Sequence, residues 1–436
     1  MRDWNRRRWL GAAAGVTGLA SVQDMALAFD EKAAGTTRAG TPKGSRPRSK
    51  MKISGFRATK VASPDHALLN SWDVHGTHFI RTILEIETSD GFKGVSEVKG
   101  ESVDAVNAAK EYALGRDPFE IERFRKTIPD LISYSAVETA CLDLIGKVIN
   151  RRVADLIGGA YREEAAYSAY LFFVMPTPDK PAYTTPEDIA RQFNEFNKKH
   201  GFKSVKFKAG ILPPEREVEA LRLMRAQWPN APLRIDPNAA WSIETSLRVA
   251  KLIEPIGMEY YEDPTPGFDG MAAVRRQTKI PLATNMIVTA QEHVAEAFRK
   301  GSIDVLLLDN HYMGGLNNCR QMAATCEALG WKCSGHSSNH LGISMAAMTH
   351  MNCALAHSTY DADSHYPWTS DDVIKGGKLQ FRDGKMALPD APGLGVEIDP
   401  DRFAMLRENV AKARPLHDEL LKWNPKHPQG KKGIRW

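Results

Sequence analysis

The chain lacks the features that would point to a membrane protein or to a nucleotide-binding or nucleic-acid-binding protein. No run of eighteen apolar residues occurs, so the sequence predicts no ordinary membrane-spanning helix. No G-x-G-x-x-G motif follows a predicted strand, so a dinucleotide site has no support. The net charge is +5, but residues 1–50 hold ten Lys or Arg against four Asp or Glu, whereas the remainder holds 48 against 49. The basic charge therefore belongs to the N-terminal region and gives no support for nucleic-acid binding.

Cysteine is also sparse. Five cysteines occur in 436 residues, and no two form a CxxC pair. All of them lie in apolar segments, which favours buried free thiols over a disulfide framework or a cysteine metal site. They are Cys141, Cys319, Cys326, Cys333 and Cys353.

The N-terminal region has the three parts of an export signal in order. Paired arginines at residues 6–8 precede a bulky apolar pair, residues 10–22 form a weakly apolar run, and Ala26-Leu27-Ala28 is a small-x-small cleavage candidate. These parts predict a twin-arginine signal over residues 1–28 and export to the periplasm, with a disordered basic tail as the alternative. Residues 29–50 are rich in Gly, Thr, Pro, Lys and Arg and predict a flexible linker.

Residues 51–164 predict a small α+β domain. Thr82–Thr88 and Phe92–Glu97 have strand composition, and the Ser-Asp-Gly turn between them indicates a hairpin. Residues 101–160 then favour helices, most clearly Ala136–Ile145, where apolar side chains recur at helical spacing.

From residue 165 the pattern alternates strand and helix. Such units close into a barrel over residues 165–385, with an open doubly wound sheet as the alternative. Residues 386–436 are expected to pack back over the small domain. The predicted strands are Ala169–Val174, Ser204–Lys208, Leu233–Asp236, Tyr260–Glu262, Leu282–Asn285, Val305–Asp309, Cys333–His336 and Thr359–Asp363.

Polar side chains end nearly every predicted strand, where barrel enzymes carry their catalytic groups. Asp236, Glu262 and Asn285 are oxygen donors on three consecutive strands. Oxygen ligands without His or Cys suit Mg²⁺. The neutral amide leaves such an ion a stronger Lewis acid than a third carboxylate would. The alternative is that these residues cap the helices that follow.

Lys206 and Lys208 lie two residues apart on one strand and therefore share its inward face. Each ammonium group disfavours the positive charge on the other, and a nearby metal disfavours the charge on both. We therefore expect at least one amine to be neutral and able to act as a base. The alternative is a pair of solvated lysines on an edge strand.

His336 and Asp309 end neighbouring predicted strands. A carboxylate bonded to one imidazole nitrogen fixes the tautomer and makes the other nitrogen more basic. We therefore expect Asp309 to orient His336 as a second acid–base group opposite Lys208.

The strand-end motifs resemble those of the enolase superfamily, in its glucarate dehydratase subgroup, from about residue 60 to about residue 400. The subgroup's K-x-K matches residues 205–208, and its D-P-N-x-A-W matches residues 236–241. Asn285 is the most specific match, since most of the superfamily has an acid there. The resemblance implies an α/β fold: a modified TIM barrel, (β/α)7β, with an N-terminal α+β capping domain completed by the C-terminal segment.

The resemblance also implies a reaction. Mg²⁺ and Lys206 would hold a substrate carboxylate, and Lys208 or His336 would take the α-proton. The β-hydroxyl would leave with acid help from His336, giving a 2-keto-3-deoxy acid. The implied substrate contacts are Asn70 and His75 on a mobile loop, together with Tyr170, Asn238, Ser338, His365 and Arg414.

The identity of the sugar acid stays open at this point. Ser338 stands where the subgroup's H-S-N-N-H pattern has an amide, so an aldarate, an aldonate or a uronate-derived acid all remain candidates. Two other functions are compatible with the sequence. A racemase or epimerase would use the same two bases, whereas an exported acid-sugar binding protein would not require Lys208. The oligomeric state is also open, a homo-oligomer included.

Overall fold

The computed structural model describes residues 51–178, 180–413, 417–423, 433–434 and 436. The predicted signal at residues 1–28 and the predicted linker at residues 29–50 lie outside the described residues. Met51–Trp436 forms one structural unit. Within the described part, none of the helices has the length and apolar character needed to cross a membrane.

The chain begins with a three-stranded antiparallel sheet in the order β1-β2-β3: Ile53–Pro64, His78–Thr88 and Lys93–Lys99. The predicted hairpin is confirmed by strands β2 and β3. The helix Leu131–Ile149 packs on this sheet. A Cβ at Gly94 would lie 2.1 Å from the carbonyl oxygen of Ala140 on that helix, so glycine allows the close approach of strand and helix.

Helices cover the sheet and alternate with the strands that follow. The helices, α1 to α14 in chain order, are Val103–Ala108, Lys110–Ala113, Ile121–Thr127, Leu131–Ile149, Val153–Leu156, Pro186–His200, Pro214–Gln227, Ile243–Ile253, Gly267–Arg275, Gln291–Lys300, Leu316–Leu329, Gly342–Ala354, Pro400–Glu408 and His417–Trp423. Short 3₁₀ turns occur at Gly100–Ser102, Glu254–Ile256, Tyr366–Trp368 and Asn409–Lys412.

Eight parallel strands form the barrel, in the order β10-β9-β8-β7-β6-β5-β4-β11. Parallel bridges from Cys333 to Ser358 and from His336 to Asp363 join the two ends of this order, so the ring closes and the open-sheet alternative is wrong. The predicted modified TIM barrel with an antiparallel cap is therefore confirmed. Strands β4 to β11 are Glu164–Leu171, Val205–Lys208, Leu233–Asp236, Tyr260–Glu262, Leu282–Thr284, Val305–Leu308, Lys332–Gly335 and Ala362–Asp363.

The first barrel strand, predicted at Ala169–Val174, lies earlier, at Glu164–Leu171. At its start, strand β12 (Lys385–Ala387) pairs antiparallel with it and lengthens the ladder. At its end, the side-chain amide of Gln192 bonds both the N–H and the carbonyl of Phe172, at 2.9 and 3.0 Å. These bonds take the place of further ladder bonds, so the strand stops although its apolar run continues.

The segment after residue 385 contacts both parts of the molecule. Strand β12 lies on the barrel, whereas helix α13 packs against β1 of the cap sheet. All five cysteines are buried and free, as predicted.

Candidate active site

A cavity of about 820 Å³ lies between the cap and the carboxyl ends of the barrel strands. Nine of the residues predicted from the sequence line this cavity: Asn70, His75, Tyr170, Lys208, Asn238, Asn285, His336, Ser338 and His365. Arg414, the remaining implied substrate contact, lies outside the described residues. Lys206, Asp236 and Glu262 are fully buried beside this group, at the ends of their strands.

The two lysines are held by carboxylates. Lys208 Nζ donates to Asp236 Oδ2 at 2.6 Å, and Lys206 Nζ donates to Glu262 Oε1 at 2.6 Å. Lys206 Nζ also lies 3.5 Å from Asp363 Oδ2. Burial opposes the charge on each amine, but these carboxylates outweigh it and hold the pKa of both lysines above its usual range.

The expectation that one of the two amines is neutral is therefore not met, because the carboxylates around both lysines favour the charged form. Repulsion between the two ammonium groups is opposed here by the attraction of three buried carboxylates, those of Asp236, Glu262 and Asp363.

Asp236, Glu262 and Asn285 have the donor chemistry of a magnesium site. Glu262 Oε2 and Asn285 Oδ1 are buried, and neither has a hydrogen-bond partner among the described residues. Burial and the charge of Asp236 raise the pKa of Glu262 well above its usual range. A divalent cation would bind these two oxygens, which lack a hydrogen-bond partner, and would offset the repulsion between the carboxylates. These residues therefore fit Mg²⁺.

The helix-cap alternative for these three residues is wrong. The helices that follow them have Ser242, Pro266 and Ala290 at their N-caps.

His336 lies between an amide and a carboxylate. Its Nδ1 lies 2.7 Å from Asp363 Oδ1, and its Nε2 lies 2.7 Å from Asn285 Nδ2. Because the Asn285 amide donates to Nε2, that nitrogen is the acceptor, and Nδ1 donates its hydrogen to Asp363. Nε2 is thus the ring nitrogen that faces the oxygen-donor trio, and Nδ1 is the one that faces the Asp363 carboxylate and, at 3.2 Å, Lys206 Nζ.

The prediction that Asp309 orients His336 is corrected by this geometry. Asp309 accepts hydrogen bonds from the backbone N–H groups of His311 and Tyr312, at 2.8 and 3.3 Å. Closure of the ring instead places His336 beside Asp363, with which it forms a parallel bridge. Burial raises the pKa of Asp309, and the nearby His336 opposes this only in part.

Tyr170 lines the cavity beside the two lysines. Lys206 Nζ lies 4.8 Å and Lys208 Nζ lies 5.8 Å from its ring centroid, so both interact with its π face. Burial raises the pKa of Tyr170 to about 12, so its hydroxyl stays protonated.

The cap contributes residues that the sequence analysis missed. Trp72 lines the cavity, and its indole N–H donates to the carbonyl of Asn238 at 3.3 Å. Arg81 and Lys99 also line the cavity from strands β2 and β3. Trp72 lies between the predicted Asn70 and His75, so its position in that loop was a usable signal.

The fold and the strand-end residues define a class of capped barrel protein with a buried acidic site. Residues 188–402 match the family described as "Enolase C-terminal domain-like". A "Probable glucarate dehydratase" of Streptomyces coelicolor is 38% identical in a 396-residue alignment that covers 82% of this chain and 91% of that protein. The chain belongs to the enolase superfamily.

Solved structures agree with this assignment. A Mycobacterium smegmatis enolase in complex with tartrate has 38% identity and a TM-score of 0.84, over 90% of this chain and 100% of that one. An enolase of Thermobispora bispora in complex with magnesium and formate has 38% identity and a TM-score of 0.82, over 87% of this chain and 99% of that one. The resemblance seen in the sequence motifs is thereby confirmed.

Proposed function

We propose that this chain is a Mg²⁺-dependent sugar-acid dehydratase of the glucarate dehydratase type. It removes the proton α to a carboxylate and eliminates the β-hydroxyl, giving a 2-keto-3-deoxy acid. One observation carries the proposal: Lys208 and His336, two acid–base groups, line one cavity next to Asn285 of the oxygen-donor trio. The similarity to a protein named probable glucarate dehydratase supports it.

Asp236, Glu262 and Asn285 would hold the metal. When bound, Mg²⁺ would supply Lewis-acid stabilisation of the negative charge that develops on the substrate carboxylate. Lys206 is fully buried beside these residues and charged, so it would add a fixed positive charge at the same place.

His336 and Lys208 would have complementary roles. His336 would accept a proton at Nε2, and Asp363 would then stabilise the imidazolium that forms. Asp236 holds the pKa of Lys208 above its usual range, so Lys208 would donate a proton while this pair is intact and would accept one only once the pair is broken. Which of the two takes the α-proton depends on the configuration of the substrate.

An aldarate is the substrate class that we favour. Tartrate, bound in the Mycobacterium smegmatis relative, is itself a hydroxylated diacid. The cavity here offers hydrogen-bonding groups along its length, from Asn285 at the strand ends to Asn70 and His75 on the cap side.

The test is a screen of hexaric and aldonic acids with Mg²⁺ on the full chain, with semicarbazide detection of a keto product. Lys208→Ala and His336→Asn should each lower turnover by about 10²–10⁴-fold. Lys203→Ala, which removes an exposed lysine paired with Asp383, is the matched control and should keep full turnover.

The outcomes separate the three functions. Unchanged turnover in both variants would contradict the two-group chemistry. Exchange of the α-hydrogen with deuterium but no keto product would favour a racemase or epimerase. Tight binding of an acid sugar without either reaction would favour the binding protein.

We also propose export through residues 1–28. A tagged protein with Arg6 and Arg7 replaced by lysine should remain in the cytoplasm, whereas the unmodified protein should reach the periplasm. Equal distribution of the two proteins would contradict the proposal.

A further inference from the structure

We propose that Asp65, His75 and His365 form a second cation site in the wall of the cavity, suited to Zn²⁺ rather than Mg²⁺. His365 Nε2 lies 3.0 Å and His75 Nδ1 lies 3.8 Å from the same oxygen, Asp65 Oδ2. The three ligand atoms all lie within 4.8 Å of one another.

These separations are close to those of a real zinc site. Bonds from zinc to nitrogen and oxygen are about 2.0–2.2 Å long, so neighbouring ligands of a tetrahedral ion lie about 3.3–3.5 Å apart. Small side-chain adjustments would bring the three atoms to that spacing. Two imidazoles and one carboxylate suit Zn²⁺, whereas Mg²⁺ favours all-oxygen sets such as the one at Asp236.

The ligands are already oriented by the surrounding structure. Asp65 Oδ1 accepts the backbone N–H of His66 at 2.7 Å, and the N–H of Asp65 donates to the carbonyl of Thr77 at 2.8 Å. The rings of His75 and His365 stack, with centroids 5.1 Å apart and planes inclined by 20°. The carboxylate and both imidazoles are therefore held against one another.

A hydrogen bond between Asp65 and His365 explains the position of His365 but not that of His75. His75 Nδ1 faces the same carboxylate oxygen but has no hydrogen-bond partner among the described residues. A cation between the three groups would use that nitrogen as well.

The site would open toward the substrate. Asp65 and His365 are each 1% exposed, whereas the side chain of His75 is 20% exposed. His75 and His365 both line the cavity, so the free coordination positions of the cation would face it. Zinc binding is measured separately from the dehydratase reaction, although His75 and His365 are also among the substrate contacts that the resemblance implies.

The experiment titrates Zn²⁺ into the full chain by calorimetry with Mg²⁺ held at saturation. The wild type should bind one zinc ion tightly, and Asp236→Asn should bind it equally well because Asp236 is not a ligand of the proposed zinc site. His365→Gln, His75→Gln and Asp65→Asn should each weaken zinc binding at least tenfold, whereas His357→Gln, outside the cavity, should not.

Two further measurements make the result decisive. Co²⁺ in place of Zn²⁺ should give the visible absorption bands of a tetrahedral ion in the wild type and lose them in His365→Gln, with melting temperatures showing that the variants fold. His75→Gln, at the most exposed ligand, covers the case in which a buried variant fails to fold. The proposal is overturned if the wild type binds no zinc, if the three variants bind it as tightly as the wild type, or if only Asp236→Asn loses it.

Discussion

At the scale of single residues, the chemistry of the cavity depends on which groups hold the imidazole of His336. Asn285 donates to Nε2, and Asp363 accepts from Nδ1. The first contact leaves a lone pair directed at a residue of the oxygen-donor trio, and the second would stabilise positive charge on the ring. The Asn285 side chain thus connects the imidazole of His336 to the oxygen-donor trio.

Asp363→Asn should lower kcat by about 10–100-fold, because an amide cannot stabilise the imidazolium as a carboxylate does. Steady-state kinetics on the preferred sugar acid measure this, and KM should change less than kcat. Asp309→Asn is the comparison and should cost less, since that side chain accepts backbone N–H groups in this structure. A larger loss in Asp309→Asn than in Asp363→Asn would show that His336 changes partner during the reaction.

The strand-end residues could be predicted because alternating strands and helices fix which end of each strand carries polar groups. Asp236, Glu262, Asn285, Lys206, Lys208 and His336 follow from that rule. The partner of His336 does not follow, because it depends on how β10 and β11 meet when the ring closes. Asp65 was missed for a similar reason: its partner His365 is 300 residues away.

At the scale of elements, Glu138 connects the cap to the barrel. It lies on α4, and its carboxylate accepts from the backbone N–H groups of Leu316 and Asn317 at the start of α11, at 2.5 and 3.2 Å. A negative charge at a helix N-terminus is favourable, and these N–H groups have no partner within the helix. Burial nevertheless dominates and raises the pKa of Glu138 to about 7.

This raised pKa predicts a stability that falls as the pH rises. Between the unfolded value of 4.5 and about 7, the folded chain holds a proton on Glu138 that the unfolded chain has released. The free energy of unfolding should therefore decrease by about 1.4 kcal/mol per pH unit across this window from Glu138 alone, and this contribution should be flat above it. Denaturant unfolding of the wild type and Glu138→Gln at pH 5 and pH 7.5 measures the difference. An equal pH dependence in the two proteins would contradict the prediction.

The elements themselves were largely predictable, and the exceptions have local causes. Apolar periodicity placed the cap hairpin and the barrel strands from β5 onward close to their observed positions. Strand β4 was displaced because β12 joins its start and Gln192 takes the backbone bonds at its end. Both causes are contacts with distant residues, which the local pattern of side chains does not encode.

At the scale of the whole molecule, the cavity lies where the cap closes over the ends of the barrel strands. Cap residues such as Trp72 and Arg81 line the same space as Lys208 and His336. Binding at this place therefore contacts both parts of the unit, and a ligand of the folded state should stabilise all of it.

Mg²⁺ should raise the melting temperature of the full chain by a few degrees, because a ligand at a hundredfold excess over its Kd stabilises the fold by about 2.7 kcal/mol. The ion would bind Glu262 Oε2 and Asn285 Oδ1, the buried oxygens that have no hydrogen-bond partner among the described residues. Glu262→Gln should abolish this rise, since it removes the negative charge that burial and Asp236 make unfavourable without the metal. Asp390→Asn, which alters a fully exposed carboxylate, should keep it. Thermal melts with EDTA and with increasing Mg²⁺ measure the effect, and an equal rise in Glu262→Gln and the wild type would place the magnesium site elsewhere.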